Sequence, residues 1–419
     1  MKKLLFLTLL YSLDLFAMTE SDTGRWVKDI DTYSAGILLH HIDPFHSVSK
    51  DYFETEIKNV KRGLSGKTEN EVVVELMRLT NEINDGHTSF PLWGRLLNSF
   101  PVGLKVFNGN IYCVKSTDDQ AYLLGARLNS IDGISSSEII KKFSEITPFS
   151  ENEYSTMTRV AEYIPKAEVL NGLGIISNIH EADFVFELSN KTATYRLTSS
   201  QSPKFGQNLT YRQKNIFIPY KKIDSDLWFG PSADNKTVYV NFRRYTSISK
   251  MENLAEDLLD FINTHNSKNL IIDLRDNYGG NFFVGLKLAQ FLVLADSINW
   301  KSGVYVLIDN VTFSAAMSNA AQFSQLLNAK LVGEPTGAMP SGYQDMGQFK
   351  LPNSKLDVTY SKRLYHFTKD DKDALYPDVL IEHSISEYIG NNDRQLEWVL
   401  NDIAGSKADY NKAFQRTNR

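Results

Sequence analysis

Residues 236–333 alternate between short apolar stretches and amphipathic helical patterns, and this alternation limits the possible folds more than any other feature. "NLIIDL" is almost wholly apolar, as expected of a strand buried on both faces of a parallel sheet. It follows "ISKMENLAEDLLDFINTH", which carries four apolar residues at helical spacing. Since the pattern repeats through "GVYVLI" and "KLVG", it predicts a parallel sheet with right-handed crossovers.

The rest of the 419-residue chain predicts further units, because one hydrophobic core rarely supports so many residues. Residues 18–96 have helical spacing, as in "ENEVVVELMRLTNEIN". Residues 97–200 mix short alternating strands with a serine-capped helix, which indicates an α+β region. We assign residues 201–403 to the sheet core and residues 404–419 to a polar tail. The fold class is therefore α/β multidomain.

The first 17 residues are typical of a secretory signal peptide, with a basic start, an apolar stretch and Ala17 at the cleavage position. The apolar stretch is shorter than the roughly 20 residues that span a bilayer. We therefore expect a secreted or periplasmic protein with no integral membrane span after cleavage. The net charge of -5 gives no basic footprint for nucleic acid. The single cysteine, Cys113, excludes an internal disulfide and a multi-cysteine metal site.

Two chemically distinctive segments follow neighbouring strands of the predicted sheet, where active sites of open α/β sheets gather. "RDNYGG" follows one strand, and "DNVTFSAAM" follows the next and places Ser314 at the start of a helix. Taken separately, a glycine pair usually forms a tight turn and a serine there usually caps the helix. Taken together, they could form a nucleophile and an oxyanion hole, with the N–H groups of Gly279 and Ala315 as donors.

The order of these motifs resembles a known family. "LTNEINDGHTSF", "LLGARLNSIDGISSSEI", "LIIDLRDNYGG", "LIDNVTFSAAM", "LVGEPTG" and "YPDVLIE" resemble the C-terminal-processing (tail-specific) serine peptidases over roughly residues 70–400. That family includes the tricorn core and the retinoid-binding-protein-like modules. The resemblance implies a Clp-protease/crotonase-like core, a PDZ-like region at 97–200, a peptide or protein substrate and no cofactor. It also implies that Ser314 is the nucleophile and that Gly279 and Ala315 are the oxyanion donors.

The chain departs from the serine–lysine branch of the family at the base. That branch carries its lysine in a G-E-x-T-x-G-K-G loop, whereas "GEPTGAMP" has Met339 at this position, and a thioether cannot take up the proton. The tricorn-like branch uses a histidine from the N-terminal segment, which "DGHT" supplies as His87. A histidine accepts a proton readily near neutral pH. We therefore expect His87 to be the general base.

The group that orients His87 is less constrained by the motifs. In the tricorn core a serine precedes the histidine, but here that residue is Gly86. The family places an acid just before the "PD" segment, a position best matched by Asp371, with Asp370 and Asp373 as alternatives. Asp371 is therefore the acid expected beside His87.

The remaining histidines give one alternative base and one candidate metal cluster. His366 lies close in sequence to Asp371 and is the alternative base. "HHIDPFH" contains His40, His41 and His46, but no carboxylate at a recognised ligand spacing accompanies them. Polar residues at the end of a helix are the favoured interpretation, so we expect no metal site.

The leading hypothesis is a serine endopeptidase that cleaves peptides or protein C-terminal regions by acyl transfer through Ser314. Two alternatives stay open, as does the oligomeric state. The chain could be a catalytically inactive ligand- or peptide-binding protein on the same scaffold, or an acyl hydrolase with a different class of substrate.

Overall fold

The computed structural model of the protein describes residues 19–212, 216–370 and 372–417, with side chains up to residue 405. The predicted signal peptide therefore lies outside the described residues, as does Asp371. None of the helices in these ranges is both long enough and apolar enough to cross a bilayer.

Three helices open the described chain, as the spacing of residues 18–96 predicts. They are α1 (Glu20–His40), α2 (Lys50–Gly63) and α3 (Glu69–Asn81). Thr68 begins α3 with a capping box, because its hydroxyl accepts the N–H of Glu71 while the Glu71 carboxylate accepts the N–H of Thr68. The apolar residues of α3 are almost all buried, so this helix lies inside the N-terminal core rather than on its surface.

An antiparallel sheet with three helices follows and shares its hydrophobic core with α1–α3. The strands pair in the order β1-β2-β3-β5-β6, with β4 beside β3 and β7 beside β2. The elements are β1 (Val102–Phe107), β2 (Asn110–Ser116), β3 (Arg127–Ile131), β4 (Ile134–Ser135), α4 (Ser136–Ser144), α5 (Glu153–Tyr163), α6 (Ala167–Gly172), β5 (Glu181–Leu188), β6 (Lys191–Thr198) and β7 (Gln207–Asn208). Together these strands and helices form an α+β arrangement.

The second sheet contains the strands predicted from the apolar stretches. Its order is β16-β13-β12-β11-β10-β9-β8, and all neighbours from β10 to β16 are parallel. The elements are β8 (Lys221–Lys222), β9 (Leu227–Pro231), β10 (Thr237–Phe242), α7 (Ile248–His265), β11 (Asn269–Asp273), α8 (Phe282–Leu292), β12 (Val304–Ile308), α9 (Ala315–Leu327), β13 (Lys330–Gly333), β14 (Ser341–Lys350), β15 (Asp357–His366), β16 (Val379–Leu380), α10 (Ile385–Gly390) and α11 (Arg394–Thr417). The predicted parallel sheet is confirmed.

Both faces of this sheet are covered, which explains the continuous apolar strands. In β11, Leu270 and Ile272 face the cluster formed with α7, α8 and α9, whereas Ile271 faces the cluster formed with α11. Helix α11 runs over Arg394–Thr417 and so includes residues 404–417.

The hairpin β14–β15 lies away from the sheet that precedes it in sequence. Leu356 and Val358 of this hairpin belong to the N-terminal hydrophobic core. A side chain at Gly36 of α1 would collide with the ring of Phe349, so the hairpin packs directly on that helix. Sequence analysis assigns residues 201–403 to one core, but in space this part of the segment packs with the first unit.

A buried arginine joins the sheet to α11. The side chain of Arg275 is 0% exposed and forms two hydrogen bonds to Asp393, at 2.7 and 2.9 Å, and further bonds to Asp273. Asp273 also accepts a hydrogen bond from Arg212 at 2.7 Å. Since an unpaired charge at this depth is very costly, these bonds fix the end of β11 against the start of α11.

We expect Asp393→Ala to lower the free energy of unfolding by about 3–5 kcal/mol, because it leaves the buried Arg275 charge partly uncompensated. Urea denaturation followed by circular dichroism measures the change. The control Asp257→Asn breaks the exposed pair with Lys221 and should cost less than about 1 kcal/mol. Equal losses in the two variants would contradict the prediction.

Candidate active site

Ser314 lies at a strained turn between β12 and α9. Its φ of 51° and ψ of -127° are unusual for a residue with a side chain. The side chain makes no capping hydrogen bond to the helix. The helix-cap interpretation of this serine therefore does not hold, because the hydroxyl points elsewhere.

A buried aspartate fastens the turn that leads to Ser314. The carboxylate of Asp309 accepts the N–H groups of Val311 and Thr312 at 3.1 and 3.0 Å, and also that of Asp276 at 3.0 Å. The Thr312 hydroxyl donates to the carbonyl oxygen of Leu274 at 3.0 Å. Since residues 274–276 follow β11, these bonds hold the two strand ends together.

Gly279 is pressed against the serine turn. Its φ is 92°, and a Cβ at this position would lie 2.8 Å from the nitrogen of Ala315 and 2.9 Å from Cβ of Ser314. Only glycine allows this approach. The N–H of Gly279 donates to Oδ1 of Asn277 at 2.9 Å, whereas that of Ala315 has no acceptor in the described part of the chain. The two predicted oxyanion donors are thus adjacent, but the N–H of Gly279 already donates to Asn277.

His87 reaches Ser314 from the N-terminal unit. Its Nε2 lies 2.8 Å from Oγ of Ser314, although 227 residues separate the two in sequence. His87 is 3% exposed, and its ring stacks on Phe313 with ring centroids 5.3 Å apart. Phe313, the residue before Ser314, therefore holds the imidazole in place.

The carboxylate that faces the other nitrogen of His87 belongs to Glu151. Its Oε1 lies 3.2 Å from Nδ1 of His87, which is ion-pair distance, although the angle is not that of a hydrogen bond. Its Oε2 accepts the backbone N–H of Met339 at 2.8 Å. A Cβ at residue 86 would lie 2.6 Å from Glu151 Oε1 and 2.7 Å from Phe313, so Gly86 makes room for this carboxylate.

The acids predicted to orient His87, and the alternative base His366, lie in different places. Asp371 lies outside the described residues. The Asp373 carboxylate accepts the Tyr376 hydroxyl at 2.9 Å, and His366 lines a cavity of about 270 Å³ that also reaches Glu151. Sequence analysis missed Glu151, which immediately precedes the N-cap of α5 and belongs to none of the recognised motifs. No local signal could have identified it.

The histidines of "HHIDPFH" have a carboxylate neighbour that their spacing does not reveal. The possible ligand atoms of His41, His46 and Asp85 lie within 4.8 Å of one another. However, Nδ1 of His41 accepts the N–H of Asp43 at 2.9 Å, so Nε2 carries the proton and donates it to Asp85 at 2.8 Å. In this tautomer His41 has no lone pair for a metal.

Solved structures provide a comparison. Mature CPAF complexed with lactacystin matches with a TM-score of 0.63 at 11% identity, over 90% of this chain and 97% of that chain. Mature CPAF alone gives 0.61 at 11% identity, over 90% and 96%. The photosystem II D1 C-terminal processing protease gives 0.41 at 12% identity, over 87% and 94%. The sequence itself matches no protein-family model and no curated protein.

The chain has the fold of the C-terminal processing proteases. The described chain is mixed α/β with several sheets, in agreement with the fold class expected from the sequence. At this identity the likeness shows the fold alone.

Glu334, the acid of "GEPTG", is buried, and its backbone N–H donates to the carbonyl oxygen of Ile308 at the end of β12. Its Oε1 accepts the N–H of His383 at 2.8 Å. Burial raises the pKa of Glu334 to about 7, although the nearby Lys105 opposes the shift. The folded protein therefore holds a proton on this carboxyl at pH values where the unfolded chain does not.

We expect Glu334→Gln to change how stability depends on pH. Because the pKa is raised from 4.5 to about 7, the bound proton stabilises the fold fully below the unfolded value, and this contribution is lost as the pH rises through 7. The free energy of unfolding of the variant minus that of the wild type should rise by roughly 2–3 kcal/mol between about pH 4.5 and 8. Urea titrations at several pH values measure this difference.

The exposed Glu256 provides the matched control, since Glu256→Gln should leave the difference flat over the same range. A flat difference for Glu334→Gln as well would show that the buried carboxyl titrates normally.

Proposed function

We propose that the protein is a serine endopeptidase that cleaves peptides or C-terminal regions of proteins, with Ser314 as nucleophile and His87 as general base. The 2.8 Å separation between His87 Nε2 and Ser314 Oγ carries the proposal. The strained backbone of Ser314 supports it, because such strain is found where a hydroxyl is presented to a substrate.

Acyl transfer then runs through three groups. His87 takes the proton of Ser314 as Oγ attacks the scissile carbonyl carbon, and later gives that proton to the leaving amine. The resulting acyl-enzyme is hydrolysed by water, with His87 again as the base. Glu151, whose side chain is 2% exposed, faces Nδ1 of His87 and stabilises the imidazolium while it exists.

We assign to Glu151 the orienting role expected of Asp371. Gly86 favours this assignment, because any side chain at that position would displace the Glu151 carboxylate. The backbone N–H of Met339 favours it as well, since it fixes the second carboxylate oxygen. The loop that carries the base lysine in the other branch thus supports the acid through its backbone.

The oxyanion of the tetrahedral intermediate is bound by the N–H groups of Ala315 and Gly279. The Gly279 N–H donates to Asn277 without substrate, so the substrate oxygen replaces Asn277 as its acceptor. Removal of one such donor typically costs about 10²–10³ in rate.

A peptide reaches this site along a cleft between β1 and α5. The cleft has a volume of about 570 Å³, is lined by residues of both elements and extends to Tyr278, next to Gly279. Since β1 is an edge strand, an extended peptide adds to it by backbone hydrogen bonds, as expected of a PDZ-like region. The signal-peptide pattern supports a location for this activity in the periplasm or outside the cell.

A tagged fluorophosphonate should label the wild-type protein at Ser314, as identified by mass spectrometry of the labelled peptide. Ser314→Ala should abolish labelling, and His87→Ala should slow it at least about a hundredfold, because the general base is lost. The exposed Ser249 and His180 supply controls, since their alanine variants should label at the wild-type rate.

Folded wild-type protein that fails to label would favour the inactive binding protein. Labelling that persists in Ser314→Ala would identify a different nucleophile. If Ser314 is labelled, the relative rates on peptide and ester substrates distinguish a peptidase from another acyl hydrolase.

Glu151→Gln should lower the rate constant of labelling about 10²–10⁴-fold, because an amide facing Nδ1 favours the wrong tautomer of His87. Gly86→Ala should cause a similar loss by displacing the carboxylate. Glu153→Gln, an exposed change two residues away, is the matched control and should have no effect. A wild-type rate in both Glu151→Gln and Gly86→Ala would exclude Glu151 as the orienting acid.

A further inference from the structure

Four segments of the chain meet at the side chain of Asp85, two residues before His87. His41 is the C-cap residue that follows α1, His46 lies in the next loop, and Ser361 belongs to β15. Asp85, His41 and Ser361 are all buried. The motif "HHIDPFH", to which the proposed mechanism gives no role, is thus part of a buried cluster directly behind the proposed base.

One carboxylate oxygen of Asp85 holds the backbone that carries His87. Oδ1 accepts the N–H of His87 at 3.1 Å, the N–H of Thr88 at 2.8 Å and the hydroxyl of Ser361 at 2.5 Å. These bonds fix the turn "DGHT" and therefore the direction in which the imidazole leaves the backbone. Since hydrogen bonds to a carboxylate are stronger than neutral ones, this turn is firmly held.

The second oxygen of Asp85 is held by His41. The N–H of Asp43 donates to Nδ1 of His41, which leaves the proton on Nε2, and this N–H donates to Oδ2 of Asp85 at 2.8 Å. Burial alone would raise the pKa of Asp85, but the hydrogen bonds from His41 and Ser361, together with the nearby ring of His46, bring it below its usual range. The carboxylate is therefore charged and can act as acceptor on both oxygens.

His46 completes the cluster without a direct bond to it. Its Nε2 is buried, lies 3.6 Å from Oδ2 of Asp85 and has no hydrogen-bond partner among the described residues. Its ring stacks on Tyr343, with centroids 4.2 Å apart, and the Tyr343 hydroxyl donates to Asp43 at 2.9 Å. His46 and Tyr343 thus cover the residues that orient His41.

From this geometry we infer that Asp85 and His41 are positioning residues for His87: Asp85 acts through the His87 backbone, and His41 acts by holding Asp85. The inference rests on the proposed function, because it assigns these residues to the same catalytic base. A misplacement of about 1 Å at a reacting group can cost a hundredfold in rate. A change in this cluster that displaces the His87 imidazole should therefore slow the reaction of the Ser314 hydroxyl.

Two amide variants of His41 test the inference. The amide nitrogen of glutamine occupies nearly the position of Nε2 of histidine and can donate to Asp85, whereas the shorter asparagine cannot reach it. We expect His41→Gln to keep the rate of fluorophosphonate labelling within about threefold of the wild type, and His41→Asn to lower it about 10–100-fold. The loss should appear in the maximal labelling rate and not in the reagent concentration that gives half of it.

A double variant tests the same contact from the other side. Asp85→Asn keeps an oxygen for the N–H groups of His87 and Thr88, but its amide faces the N–H of His41 and should slow labelling about 10–100-fold. In Asp85→Asn/His41→Gln the glutamine can turn its oxygen to the asparagine amide, so labelling should recover at least about tenfold. An unrecovered rate in the folded double variant would overturn the inference.

A measurement independent of labelling separates this inference from the proposed function. In protein labelled with ¹⁵N-histidine, the ring signals of His87 should shift or broaden in His41→Asn and stay unchanged in His41→Gln. If wild-type Ser314 does not label, the proposed function fails, yet these signals still decide the positioning role. A rise in Tm on adding zinc that disappears in His46→Ala would instead identify a metal site and overturn the tautomer assigned to His41.

Discussion

The buried charge of Arg275 is the constraint on which the carboxyl edge of the parallel sheet depends. Its guanidinium needs both Asp273 and Asp393, so the end of β11 and the start of α11 have one compatible arrangement. The chain leaves Arg275 directly into the segment that carries Gly279. Asp309 then ties the same segment to the turn before Ser314. Hydrophobic packing builds the sheet, but these polar contacts determine where the loops that carry Gly279 and Ser314 lie.

The sequence predicts the features that depend on local periodicity and fails where contacts depend on tertiary packing. The strands and helices of the sheet core agree with their apolar patterns, because each pattern reports which faces are buried. The proximity of Gly279 and Ser314 could be predicted from the sequence, because neighbouring parallel strands end at the same edge of the sheet. Glu151 could not, because its approach to His87 depends on how α5 packs. For the same reason, the sequence could not predict that Asp85 contacts His41 or that the β14–β15 hairpin packs on α1.

The departures from the motifs of the resembled family are mutually consistent in space. Gly86 lacks the side chain that would occupy the space filled by Glu151. Met339, which stands where a lysine is expected, meets the same carboxylate through its backbone N–H. A backbone contact makes no demand on the side chain, so the loop tolerates a thioether there. Taken separately, each departure suggests the loss of a catalytic side chain. Taken together, they leave room for the Glu151 carboxylate beside His87 and a backbone N–H that binds this carboxylate.

The position of the β14–β15 hairpin has a consequence for the order in which the site is completed during synthesis. Ser89 and Thr359 exchange backbone hydrogen bonds, and Thr88 accepts the N–H of Ser361, so the turn that carries His87 lacks its partner strand until β15 exists. The ribosome makes that strand after it has made Ser314. A growing chain, or one truncated before β15, therefore contains the serine before the imidazole beside it is anchored, and the finished arrangement is confined to chains that include β15.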